Sequence, residues 1–311
     1  MKIVKSGSIV GCCAAAVSLL AISPVHAQLA HEYSFSTPAG VGGTIVDSVG
    51  GANGTANGVA TISGGQLQLN NPDFSAGIAT NPNDGFGALP ASILPTSGSA
   101  TIEEWFTVQG SGFFAQSYSF SNAVSGGYQP TGAGGEYLLH AISAPQPATP
   151  PGGANTGGNH VEETVNGYSL GDQIDAYGTT PGMGYLGGGY LDEGDTYMSA
   201  TVISASGTLS YYLYDITEGN GGLQQTVTGL PLSSFNFTAA YLGRSPFDTD
   251  NIMSGSVDEF RIYDDAQSAS AVAADFAAGP NVIPEPATLS ILSLGAFGLL
   301  GRRPTRRLTV A

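Results

Sequence analysis

Between residues 28 and 280 this chain never runs for more than ten residues without a glycine, proline, asparagine, aspartate or serine. An ordinary α-helix takes about a dozen residues, whereas a β-strand is complete in about four to eight. Such punctuation favours short strands joined by tight turns. The 46 glycines and 18 prolines among 311 residues exclude a long helical bundle. With 41% hydrophobic and 9% aromatic residues the chain can still build a core, which excludes wholesale disorder.

Strand-like runs fall at His31–Ser36, Gln66–Asn70, Thr101–Gln109, Tyr137–Ile142, Tyr197–Ser204, Leu209–Ile216 and Gly255–Tyr263. Ser268 can cap one short Ala-rich helix over Ala269–Ala278, which Gly279 and Pro280 stop. The expected fold class is all-β: one antiparallel sandwich over residues 28–280. The Pro- and Gly-rich stretch from Ala144 to His160 is expected to be a long surface loop, with a second flexible stretch at Gly182–Gly189.

The two ends are of another kind. Lys2 and Lys5 precede a largely apolar run, Ile9–Ile22, then Pro24 and the small-residue pattern Val25-His26-Ala27. This is the anatomy of a secretory signal peptide over residues 1–27. A lipoprotein-type box, Ile9-Val10-Gly11-Cys12, is the competing reading, but the apolar run before Cys12 is short and continues past it. Cys12 and Cys13 are the only cysteines, so the exported part is expected to have neither disulfides nor thiol chemistry.

Residues 281–311 hold Pro284-Glu285-Pro286, an apolar segment over 287–301, and then Arg302, Arg303, Arg306 and Arg307. Basic residues after an apolar segment stay cytoplasmic. The segment is shorter than the roughly 20 residues that span a bilayer core, so transient membrane contact is expected rather than a self-sufficient transmembrane anchor. Motif, apolar segment and basic end, in that order, closely resemble the PEP-CTERM sorting signal of Gram-negative bacteria that make exopolysaccharide. An ordinary C-terminal anchor is the alternative. The resemblance implies export through the inner membrane, Pro284, Glu285 and Pro286 as the sorting motif, and an exosortase-type membrane peptidase as processing partner.

Charge narrows the ligand classes. Between residues 28 and 283 only Arg244 and Arg261 are basic, against 23 acids, a net charge of −21. Phosphate binding needs clustered Lys and Arg, so nucleic acid is excluded as a partner. Neutral sugars and divalent cations remain compatible.

Several runs carry a second resemblance. His31-Glu32-Tyr33-Ser34-Phe35, with Val46-Asp47-Ser48 and Asn53-Gly54-Thr55, is similar to the opening of laminin G-like (LamG) jelly rolls. Thr101-Ile102-Glu103-Glu104-Trp105-Phe106 resembles their strand with a central Trp. Tyr241-Leu242-Gly243-Arg244 and Gly255–Tyr263, followed by the short helix, resemble their closing segment. The resemblance implies a concanavalin A-like sandwich of two antiparallel sheets. The chain departs from the compact pattern near Ala144–Gly189.

In the closing strand, strict alternation puts Asp258, Phe260 and Ile262 on one face and Val257, Glu259, Arg261 and Tyr263 on the other. Glu259 and Arg261 can pair, with modest effect if exposed. Asp258, on the face of Phe260, needs hydrogen bonds or a cation. It is the candidate calcium ligand, with Asp47; Asp248, Asp250 and Asn251 form a second oxygen-rich cluster, and Asp192, Glu193 and Asp195 a third. Otherwise these clusters read as solvated turns in which Asp bonds the local backbone. Tyr212 and Tyr214 share a face and are the candidate glycan-stacking platform, unless they pack under neighbouring chain. Trp105 reads as core.

No catalytic residues are assigned. Glu103 and Glu104 point to opposite faces, Glu193-Gly194-Asp195 lacks a third acid, and His31, His140 and His160 show no zinc spacing. The expectation is an exported, non-enzymatic protein of the cell surface or exopolysaccharide (biofilm) matrix, binding glycan or a surface protein, with calcium as the one cofactor considered. The alternatives are a secreted glycan-cleaving enzyme and a purely structural matrix component.

Overall fold

The computed structural model describes residues 27–72, 82–110, 114–122, 135–143, 159–165, 174–177 and 191–281. In chain order the strands are β1 (Leu29–Tyr33), β2 (Thr44–Ile45), β3 (Gly54–Asn57), β4 (Thr61–Ser63), β5 (Gln66–Gln68) and β6 (Phe86–Leu89). Next come β7 (Ala100–Gly110), β8 (Ala115–Ser121), β9 (Tyr137–Ser143), β10 (His160–Thr164) and β11 (Ile174–Tyr177). The last are β12 (Thr196–Ile203), β13 (Thr208–Asp215), β14 (Asn220–Thr228), β15 (Ala239–Leu242) and β16 (Ser254–Tyr263), before helix α1 (Ala269–Ala278).

Among the described residues the strands form two eight-stranded antiparallel sheets. The first runs β14-β13-β12-β7-β16-β5-β4, with β1 also paired to β16; the second runs β11-β10-β9-β8-β15-β6-β3-β2. All seven runs read as strands overlap strands, though β1 ends at Tyr33 and β5 at Gln68, short of the expected Ser36 and Asn70. The helix has its expected bounds: Ser268 Oγ accepts from the Ala271 N–H at 3.2 Å, and Gly279, at φ +79°, ends it.

The inward faces meet in one apolar layer that includes Ile102, Phe106, Tyr118, Phe120, Leu138, Leu213 and Phe260. A second layer lies on the outer face of the first sheet. There Trp105, Met198, Ala200, Val202, Tyr212 and Tyr214 are covered by Val272 and Phe276 of α1. Strands β7, β12 and β13 are therefore buried on both faces, which explains their near-continuous burial. Glu103 and Glu104 do point to opposite faces, and both are fully buried.

The closing strand departs from simple alternation. The register of β16 against β7 slips between Val257 and Glu259, leaving Asp258 as the extra residue of a bulge. Val257, Phe260 and Ile262 consequently share the inward layer. The slip falls where the neighbour of β16 changes: Ser256 and Val257 pair with β5, and Phe260 to Tyr263 pair with β1. Beyond it Glu259 and Arg261 do pair, at 2.5 Å, but wholly out of solvent, with the guanidinium 4.6 Å from the Trp105 ring.

Candidate functional site on the outer face of the second sheet

Strand β10 alternates. Val161 packs into the inward layer, so its neighbours His160 and Glu162 face outward. Antiparallel register sets Glu162 opposite Asp175 on β11 and Leu139 on β9. The same row continues through Ser119 on β8, Tyr241 on β15 and Ala88 on β6. Glu162 and Tyr241 thus lie three strands apart on one face, about 14 Å at ordinary strand spacing.

At one end of this row His160 Nε2 lies 3.2 Å from Glu162 Oε2, and ligand atoms of His160, Glu162 and Asp175 all lie within 4.8 Å of one another. The Tyr137 hydroxyl donates to Glu162 Oε1. Tyr137, Leu139 and Ala141 form the apolar floor beside the triad, packed against Phe247. The loop after β15 supplies Ser245, whose hydroxyl donates to Asp250 Oδ2 at 2.6 Å and accepts from Gln116 Nε2 at 3.0 Å. Burial pushes the Asp250 carboxyl up to about 7; the Ser245 hydrogen bond opposes this, and the charge of Glu162 adds to it.

At the other end Tyr241 and Phe86 meet edge to face at 5.5 Å. The Arg244 guanidinium lies 4.7 Å from the Phe86 centroid and 4.6 Å from that of Tyr241, and donates to Asp248 at 2.7 Å. All three residues are half-buried. The face therefore joins carboxylates and an imidazole to partly accessible rings and a guanidinium, the mixture that suits a polar ligand with apolar edges.

The residues singled out in the sequence have other positions. Tyr212 and Tyr214 share a face as expected but form no open platform. They are 7% and 8% exposed, and Tyr214 stacks on Phe276 at 4.2 Å. Asp47 and Asp258 do not come together as calcium ligands. Asp47 accepts from the backbone N–H groups of Glu32, Val49, Gly50 and Ala52 and bonds His31 Nδ1 at 2.7 Å. Burial works against that anion, but these hydrogen bonds outweigh it and hold its pKa down at about 2. Asp258 sits in the β16 bulge and accepts from Gln66 Nε2 at 2.5 Å. Asp248 and Asp250 do belong to the site, through Arg244 and Ser245. Asp192, Glu193 and Asp195 lie in the turn before β12. Trp105 is core, in the layer under α1. Glu162 and Glu163 are strand residues, just beyond the stretch expected to be a surface loop.

Asp175 and Phe86 were not singled out in the sequence; Tyr137 and Tyr241 entered only as parts of longer runs, and His160 only as a histidine without zinc spacing. One signal was there: His160-Val161-Glu162 places two ligand types two apart, hence on one face of any strand. Pro284, Glu285 and Pro286, residues 1–26 and the apolar segment 287–301 lie outside the described residues. Among the described residues no helix is long and apolar enough to cross a membrane.

The described sandwich is similar to domain 4 of AbnA, a GH43 extracellular arabinanase from Geobacillus stearothermophilus, in a structure with arabinotriose. Identity is 18% and the TM-score 0.51, over 79% of this chain and 97% of that one. Lower scores relate it to the binding domain of botulinum neurotoxin serotype C1 (13% identity, TM-score 0.45, 78% of this chain, 50% of that one). They relate it also to a Trypanosoma rangeli sialidase in complex with 2,3-difluorosialic acid (11%, 0.46, 78% and 32%). At such identities the likeness to the arabinanase domain is one of fold. A sequence search among curated proteins finds no match. Residues 282–307 match the PEP-CTERM protein-sorting motif, which contains Pro284, Glu285 and Pro286; the chain thus carries a bacterial signal for export to the cell envelope or surface, and one that implies processing by an exosortase-type peptidase.

Proposed function

We propose that this is a non-enzymatic protein of the cell surface or exopolysaccharide matrix, whose LamG-like sandwich binds a neutral glycan on the outer face of the second sheet. The sorting motif at residues 282–307 carries the reading, because it sets the compartment in which a ligand must be found. The similar arabinanase domain, seen with arabinotriose, supports a sugar as ligand. Phe86, Tyr241 and Arg244 would contact the sugar's apolar edge and hydroxyls, with the Glu162 carboxylate further along the row. Retention of the chain on neutral polysaccharides in affinity electrophoresis tests this. Tyr241→Ala is expected to weaken retention about tenfold, a stacking contribution of roughly 1–1.5 kcal/mol. Unchanged retention, or none on any matrix polysaccharide, would leave a structural role.

Glycan cleavage is the second reading, favoured by one observation. Asp250, held up to about 7, and Glu162 form a pair of carboxyl groups in electrostatic contact. Acid–base cleavage of a glycosidic bond needs two carboxyl groups in different protonation states. Release of reducing sugar that Asp250→Asn abolishes would establish it over binding alone.

A further inference from the structure

We propose that His160, Glu162 and Asp175 form a site for one divalent transition-metal ion of the zinc class. The site is built by sheet geometry. His160 and Glu162 stand two apart on β10 and so project to the same side, and Asp175 is the register partner of Glu162 on β11. All three come from paired strands rather than loops, which fixes their relative positions without a metal present.

The distances fit. The ligand atoms lie within 4.8 Å of one another, and His160 Nε2 and Glu162 Oε2 are 3.2 Å apart. With zinc–nitrogen and zinc–oxygen bonds of about 2.0–2.1 Å, adjacent corners of a tetrahedron lie roughly 3.3 Å apart. The Tyr137 hydroxyl holds Glu162 Oε1, which orients the carboxylate with Oε2 toward the histidine. An imidazole with two carboxylates suits zinc, whereas calcium and magnesium take oxygen ligands. Three protein ligands leave a fourth position for water or a hydroxyl.

Two independent features point the same way. Register places Ala141 between His160 on one neighbouring strand and Gln116 on the other, so a single methyl group separates them on this face. Gln116 is 1% exposed; its Nε2 is taken by Ser245, while its Oε1 is a buried acceptor without a donor, the kind of group a metal-bound water would satisfy. The span is also strongly acidic: between residues 28 and 283 only Arg244 and Arg261 are basic, against 23 acids, so a dication meets an attractive field. The site does not depend on glycan binding, and its test uses no sugar.

The full-length chain, purified in mild detergent and stripped with chelator, is dialysed against zinc and, separately, cobalt(II). The expected result is one zinc per chain, a higher unfolding midpoint with zinc, and visible absorption from four-coordinate cobalt. His160→Gln and Asp175→Asn should each weaken zinc at least about tenfold while the metal-free midpoint stays near that of the parent. Where one variant fails to fold, the other and the cobalt spectrum of the parent decide. Absence of zinc uptake and cobalt bands, unchanged affinity in the variants, or an equal rise in midpoint with calcium would each overturn the assignment.

Discussion

Two buried side chains between the sheets, Glu104 and His140, contribute opposite slopes to the pH dependence of stability. Glu104 is fully buried beside Ser117, whose hydroxyl lies 2.7 Å from His140 Nδ1; His140 Nε2 in turn lies 2.8 Å from the Tyr211 hydroxyl. Burial pushes the Glu104 carboxyl from 4.5 to about 8, with the nearby Ser117 hydroxyl opposing, and pushes His140 from 6.5 to about 3, with the charge of His160 adding to it. The acid binds its proton more tightly when folded, so its share of stability is complete below pH 4.5 and is lost as pH rises through 8. The histidine is the reverse: its share is complete above pH 6.5 and is lost as pH falls through 3. For this pair alone the two slopes cancel between 4.5 and 6.5, and stability falls on either side of that window. From pH 6.5 to 8 stability should fall by a few kcal/mol, on the order of 1.4 kcal/mol for each pH unit. Glu163 and Asp250, each held near 7 by burial, act in the same direction as Glu104. Glu104→Gln should flatten much of this alkaline limb in urea titrations; an unaltered limb would rule out Glu104 as its source. Asp47 is the other residue of consequence. Its carboxylate gathers the turn after β2, and Asp47→Ala is expected to destabilise by about 2–4 kcal/mol through four backbone N–H groups left unbonded.

Among elements, α1 and the strand before it form a unit. Trp105, Glu259, Arg261 and Tyr263 lie on the outer face of the first sheet, and Asp275 of α1 accepts from Gln267 Nε2 at 2.9 Å beneath the helix. Glu103 meets Asp275 there, and burial, with Asp275's charge adding and that of Arg261 opposing, holds its carboxyl well above the usual range. Replacing one partner of the buried Arg261–Glu259 pair strands the other. Arg261→Met should therefore cost about 3–5 kcal/mol, read as a shift of the unfolding midpoint. Phe276→Ala should uncover Tyr214 and cost about 3 kcal/mol or more. An effect below about 1 kcal/mol in both would mean that α1 contributes little to the fold. The helix was readable because its cap, composition and stop are local. The bulge at Asp258 was not: it marks the exchange of β5 for β1 beside β16, and neither neighbour is near it in sequence. Strands such as β8 and β10 were missed for a related reason. His160–Thr164 is buried yet polar and lacks the apolar alternation that announces a strand, while Ala115–Ser121 alternates only over Ser117–Ser121, around two apolar residues, Tyr118 and Phe120.

At the scale of the molecule the chain has a compact unit, His26–Glu285, and the segments outside it, which include most of the sorting motif's match. Substituting alanine for Pro284 and Pro286 in the native bacterium should leave the C-terminal segment uncleaved, with the full-length mass retained in the envelope fraction. Mass spectrometry of the intact protein reads this directly, and a mature mass identical to the parent's would show that processing ignores the motif. The class of fold and the destination could be read from residue order alone. Turn residues act over a few positions, and a sorting signal is recognised as a linear segment, so neither needs the rest of the chain. The outer-face site could not be read that way. His160 and Asp175, or Phe86 and Tyr241, become neighbours only when strands pair in a particular register, and the burial of Tyr212 and Tyr214 follows only when α1 docks. Such contacts depend on which distant strands share a sheet, a choice made by the combined burial of two faces rather than by any run of the sequence.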